Sequence, residues 1–201
     1  MSSYLMTSRI IGSKEALEHF QFVTINGKVM FSDVSRVVRI ARAYSQVVKR
    51  AIKPLFEGRS AKELTKSLYD VLPNYIYLET AITQAKTIVE GLLEREEEKG
   101  EIIHAKVKKF WFASRGNKAD KGNRNVKFHV EDDHVLIKVK DPWSKGWVIG
   151  RAYFDKKYIP LLRELEELSN RKEEGYGAII SFKHYSVIHL QVPLWLYLKH
   201  F

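Results

Sequence analysis

One side of a long helical pattern sets the first chemical question. Between Asp33 and Gly58, the apolar residues Val34, Val37, Val38, Ala41, Tyr44, Val48, Ala51, Ile52 and Leu55 recur at steps of three and four, the α-helical period. At ~100° per residue, Arg39, Arg42, Gln46, Lys49, Arg50 and Lys53 fall within an arc of about 100° on the opposite side. No carboxylate lies between residues 34 and 56. Solvated helix faces usually mix signs, because Glu–Lys pairs one turn apart attract. A face of one sign repels itself unless a polyanion neutralises it. Phosphate contact through Arg39, Arg42, Lys49, Arg50 and Lys53 is the chemistry on offer, against the plainer reading of a solvated surface.

A second cluster runs from Lys106 to Lys127. Lys106, Lys108, Lys109, Arg115, Lys118, Lys121, Arg124 and Lys127 face a single acid in the segment, Asp120. Its middle, SRGNKADKGNRN, reads as a Gly/Asn/Lys loop after the aromatic triplet Phe110-Trp111-Phe112. Cations neutralise phosphate, Gly and Asn let backbone N–H groups approach it, and an aromatic can stack on an unpaired base. Strand alternation sends at least one of the three aromatics into a core. Trp111 is the candidate for stacking, and so is Trp143 in Pro142-Trp143-x-x-x-Trp147, where the alternative is a plug over an open end.

Catalytic signals are sparse. There is no GxxxxGK[ST] or GxGxxG phosphate loop, and the seven His show no metal-ligand spacing. His189-Leu190-Gln191 has the form of the His–hydrophobic–Gln metal motif of some single-strand nickases, with Tyr185 or Tyr197 as nucleophile. A three-residue pattern arises readily by chance, so a binding protein without catalytic residues, metal or cofactor is the expectation and the nickase the alternative.

These side chains sit in a chain of 201 residues with 34 Lys and Arg against 24 Asp and Glu, a formal charge of +10. That excess points to a polyanionic partner rather than a small-molecule substrate. Cys is absent, which excludes disulfides and thiolate zinc sites. With three Met and 29% charged residues the composition leans towards a thermophile. The opening residues lack the pattern of a secretory leader and no run spans a membrane, so a cytoplasmic location is expected.

The elements that must position the candidates follow from periodicity and punctuation. Asn26-Gly27 within FQFVTINGKVMF predicts a turn of a hairpin or strand pair. Ser60-x-x-Glu63 is a capping box opening a second helix that Pro73 closes, with Leu64, Leu68, Val71 and Leu72 inward. Asn74 caps a third helix, with Leu78, Ala81, Ile82, Ala85, Ile88, Val89 and Leu92 inward. After Gly100, strands are predicted over 102–112, 126–130, 135–139 and 147–154, then a helix near 157–169 and a hairpin around His184-Tyr185. The fold class predicted is α+β. A β-barrel built from 1–32 and 100–201 is interrupted by an inserted helical bundle over 33–99, with two consecutive domains as the alternative.

Two stretches carry a family resemblance. Leu72-Pro73-Asn74-Tyr75 through Ala85-Lys86, and Gly122-Asn123-Arg124-Asn125-Val126-Lys127-Phe128, resemble the archaeal TnpB-like proteins of insertion sequences, accessory transposases related to type V CRISPR nucleases. The resemblance implies that 33–99 is a three-helix recognition insertion and that 102–200 is a wedge domain, an oligonucleotide-binding-like barrel. That family's RuvC-like nuclease domain would begin just past Phe201, and its zinc ribbon would need Cys. The resemblance therefore implies the half that grips structured RNA or an RNA–DNA duplex, without the cutter. By charge and placement, Arg39, Arg42, Lys49, Arg50 and Lys53 would be the helical contacts, and Lys108, Lys109, Arg115, Lys118, Lys121 and Arg124 those of the barrel. A third reading is a protein-interaction module that regulates a full-length transposase relative.

Overall fold

Strand β1 (Phe22–Phe31) alternates buried and exposed residues along its second half, with Ile25, Gly27 and Val29 inward and Asn26, Lys28 and Met30 outward. A computed structural model describes residues 21–99 and 110–201, and in it β1 runs unbroken through Asn26-Gly27. The predicted turn is therefore overturned. A type I′ turn needs positive φ at both residues, and neither shows it. Gly27 is instead a matter of space, because a Cβ there would stand 2.7 Å from the Phe154 ring.

Eight further strands and five helices follow among the described residues. They are helices α1 (Val34–Phe56), α2 (Ala61–Ser67) and α3 (Tyr75–Lys99), then strands β2 (Trp111–Ser114), β3 (Gly116–Asn117), β4 (Gly122–Asn123), β5 (Val126–Val130), β6 (Val135–Lys140) and β7 (Trp147–Tyr153). Helix α4 (Ile159–Asn170), strands β8 (Gly177–Phe182) and β9 (Ser186–Pro193) and helix α5 (Leu194–His200) complete them. The protein is a mixed α+β fold around one large antiparallel sheet, in the order β2-β8-β9-β1-β7-β6-β5, with β3-β4 a separate hairpin. No helix among the described residues is long and apolar enough to cross a membrane.

The helix caps are those the sequence offers. The Asp33 carboxylate accepts from the Ser35 and Arg36 N–H groups, Ser60 and Glu63 form the reciprocal capping box, and Asn74 accepts from Tyr77 N–H. Ile40 and Val47 are buried on α1 besides the predicted stripe, whereas Val34, predicted inward, is half-exposed. Helix α2 ends at Ser67 rather than at Pro73, and Leu68, Val71 and Leu72 follow in turns that still bury Leu68 and Leu72. Helix α5 has no counterpart in the sequence reading.

The sheet is open yet curled, so that its two outer strands meet at one end. The fully buried Asn123, the last residue of β4, donates from Nδ2 to the Ser114 carbonyl of β2 at 3.0 Å and to the Tyr176 carbonyl at 3.0 Å. Its Oδ1 accepts from the backbone N–H groups of Asn125 and Val126, both at 3.0 Å. The Tyr176 hydroxyl donates to the Val126 carbonyl of β5. Helix α3 lies across the gap that remains. Tyr77 packs edge-on against Phe112 of β2, with centroids 5.6 Å apart, and its hydroxyl donates to the Lys140 carbonyl at the end of β6. Asn74 and Asn125 exchange amide hydrogen bonds of 2.9 and 3.0 Å. Helices and sheet thereby bury one contiguous core, including Tyr44, Tyr77, Phe112, Ile137 and Leu162.

Candidate nucleic-acid interface

Helix α1 presents the basic face as the periodicity predicts. Its buried side, from Val37 and Ile40 to Val48 and Ala51, packs chiefly on α3 and β2. Arg39, Arg42, Gln46, Lys49, Arg50 and Lys53 are all exposed. Among the described residues, only Lys53 of these cations has a carboxylate partner, Glu57 at 3.8 Å. Arg39 lies over the Trp143 ring, its guanidinium 4.0 Å from the ring centroid. One turn earlier, Arg36 fixes the helix start to the 141–146 loop through Asp141 at 2.6 Å and Ser144 at 2.6 Å. Burial works to raise the Asp141 pKa, but the Arg36 guanidinium, the Trp143 N–H and Ser144 outweigh it and hold the carboxyl below its usual range. Trp143 is therefore a half-buried shelf beneath Arg39.

The second cluster is braced rather than loose. Residues 116–123 form the β3–β4 hairpin around a 3₁₀ turn, in which Asn117 caps Ala119 N–H. Lys121 and Gly122 take positive φ, 52° and 87°, and a Cβ on Gly122 would meet the Tyr176 ring. Three of its cations are paired with carboxylates: Arg115 with Glu79 of α3 at 2.5 Å, Lys118 with Glu174 at 3.7 Å, and Arg124 with Asp120 at 3.0 Å. Glu79 and Glu174 lie far along the chain, so a reading of the 106–127 window alone misses them. Lys127 donates to the Asp120 and Lys121 carbonyls, and burial holds its pKa below the usual lysine range. Lys121 is exposed on the hairpin. Lys108 and Lys109 lie outside the described residues. Trp111 packs on the buried Tyr44 of α1, with centroids 5.7 Å apart, and Phe112 is fully buried.

His189, Gln191 and Tyr185 of the nickase alternative are held in cross-strand contacts. His189 lies with Nδ1 2.6 Å from Asn26 Oδ1 and Nε2 2.8 Å from Ser181 Oγ, and burial lowers its pKa. Gln191 reaches over Gly177. Tyr185 stands at the β8–β9 turn with Lys28 Nζ 4.8 Å above its ring, whereas Tyr197 stacks on Phe201 at the far end of α5.

Asn123 and the outward positions of β1, β6 and β7 are absent from the sequence-level site. The signal for the latter is the polar half of each alternation, as in VLIKVK and WVIGRAY.

Two comparisons bear on the whole chain. The family model of the SSO2105 N-terminal domain matches residues 22–201. The chain is also similar to a Saccharolobus solfataricus protein described as uncharacterized protein SSO2105, 71% identical over all 201 residues. Those residues correspond to 54% of that relative, so the chain spans about half its length.

Proposed function

Starting from a chain that belongs to the SSO2105 N-terminal domain family, we propose that this protein binds nucleic acid without catalysing a reaction on it. The observation that carries this reading is the α1 face, where Arg42, Lys49 and Arg50 are exposed and have no carboxylate partner among the described residues. Arg115, Lys118 and Arg124 find counter-charges, whereas the α1 cations stand together on one face with no acid between residues 34 and 56. A row without counter-charges is stabilised by a phosphate backbone. Structured RNA or an RNA–DNA duplex is the favoured ligand. In this reading α1–α3 act as the recognition insertion and the curled sheet as the wedge-type, oligonucleotide-binding-like part of a TnpB-like protein. The place of the resembling segments supports it, since Leu72–Tyr75 and Gly122–Phe128 meet through the Asn74–Asn125 amide pair.

The test is the salt dependence of binding. Three phosphate contacts on a single strand give a log K against log salt slope of about −2, and five on a duplex about −4.5. Arg42→Ala with Lys49→Ala should flatten the slope by about 1.4 to 1.8 and weaken all sequences alike. Unchanged affinity and slope in that double variant would leave the α1 face a solvated surface.

A further inference from the structure

The sheet has an outer face that the helices leave uncovered along β1, β7 and β6. Its outward positions are Asn26, Lys28 and Met30 on β1, Trp147, Ile149, Arg151 and Tyr153 on β7, and Leu136, Lys138 and Lys140 on β6. None is a carboxylate. The cross-strand pairs interleave charge with apolar surface: Lys28 opposite Tyr153, Met30 opposite Arg151, Leu136 opposite Arg151, Lys138 opposite Ile149, and Lys140 opposite Trp147. Lys127 of β5 stands opposite Lys138 in the ladder, its ammonium drawn aside to the Asp120 and Lys121 carbonyls. The large apolar side chains are unusually bare, with Met30 57% exposed, Tyr153 43%, Trp147 37% and Tyr185, at the neighbouring turn, 54%. A cavity of about 340 Å³ opens between Lys127, His129, Leu136, Lys138 and Trp147. The carboxylates nearby lie at the rim, Glu131, Asp132 and Asp133 in the β5–β6 turn and Glu166 bonded to His129.

We infer that this face binds a single-stranded segment of nucleic acid. The inference rests on the nucleic-acid reading above and names a second surface and a ligand form for it. Lys28, Lys138 and Arg151 meet phosphates, and Tyr153 and Trp147 stack on unpaired bases. Aromatic rings among cations, with no carboxylate between them, complement a chain that carries both phosphate charge and bare π-faces. A duplex hides its base faces within its own stack and cannot use these rings. An acidic protein partner would match the charge, and it is read out as no binding to any of the three oligonucleotides.

The experiment is a polarisation titration of fluorescein-labelled oligo-dT, oligo-rU and a hairpin-free duplex against the full chain, at low and moderate salt. Wild type should bind both single strands. Trp147→Ala with Tyr153→Ala should weaken single-strand binding by about ten- to a hundredfold and leave duplex binding within about twofold. Lys138→Gln with Arg151→Gln should flatten the single-strand slope by about 1.4. Both pairs lie on the exposed face, and far-UV circular dichroism verifies their fold. If both double variants bind single strands like wild type while Arg42→Ala with Lys49→Ala does not, the sheet face is wrong and the nucleic-acid reading stands. Equal losses on duplex and single strand would overturn the claim of strandedness. If wild type binds none of the three, both readings fall together. The dT and rU arms separate DNA from RNA as the source of the strand.

Discussion

Replacing Asn123 tests whether one buried amide holds the two ends of the sheet together. Asn123→Leu keeps the approximate volume and removes every polar contact. Nδ2 has two hydrogens, shared among the carbonyls of Ser114, Arg115 and Tyr176, and Oδ1 accepts from two backbone N–H groups and the Ser114 hydroxyl. Counting two amide hydrogens and two backbone N–H groups, at about 1 kcal/mol net each, gives a loss of about 4 kcal/mol. The buried groups left without partners push the value up, and relaxation of the hairpin pulls it down. With a urea dependence of about 2 kcal/mol per molar, the unfolding midpoint should fall by about 2 M. A thermal melt should fall by about 8–16 °C for a chain of this size. Asn123→Asp keeps the acceptor but aims a carboxylate at three carbonyls, so it should destabilise at least as much. A midpoint shift under about 0.5 M in Asn123→Leu, at unchanged slope, would show that packing and not this hub joins β2 to β5.

Two further predictions concern the sheet. Gly27→Val drives a side chain into the Phe154 ring and should cost about 1–3 kcal/mol in urea unfolding, with no effect if that ring sits elsewhere. The Glu166 carboxylate, 2.5 Å from His129 Nδ1, raises the His129 pKa above its ordinary 6.5. Folding stability from this pair is fully present below that unfolded value and is lost as pH rises through the folded one. The melting temperature should therefore drop as the pH rises above the ordinary histidine value of about 6.5, and His129→Asn should reduce the drop. An identical drop in the variant would assign the pH dependence to other groups.

The elements legible in the sequence are those whose ends are fixed within a few residues. Asp33, the Ser60–Glu63 box and Asn74 each announce a helix start locally, and the alternation of Val135, Ile137 and Val139 announces a strand. Asn26-Gly27 misleads because its local preference for a turn is overridden by pairing with β9 on one side and β7 on the other. The α1 face was legible because helical geometry alone places its cations together. The engagement of Arg115 and Lys118 was not, because their carboxylates arrive from α3 and from the approach to β8. Asn123 reads as one more polar loop residue until the β3–β4 hairpin folds it back on Ser114 and Arg115 and the approach to β8 supplies the Tyr176 carbonyl. Helix α5 is hidden in LWLYLKH, where near-continuous apolar residues erase any period.

The strand at the middle of the sheet precedes every strand it pairs with. Its residues meet β9 at separations as large as 171, as between Phe22 and Pro193. At roughly 5–20 residues per second, a ribosome takes about 9–34 s to cover that interval. Until β7 is made, the inward side of β1, with Ile25 and Val29, has no strand to join, while α1–α3 can already pack on one another. Loop closure over such distances is slow even in a complete chain. A nascent chain therefore displays its basic helix long before its sheet is complete.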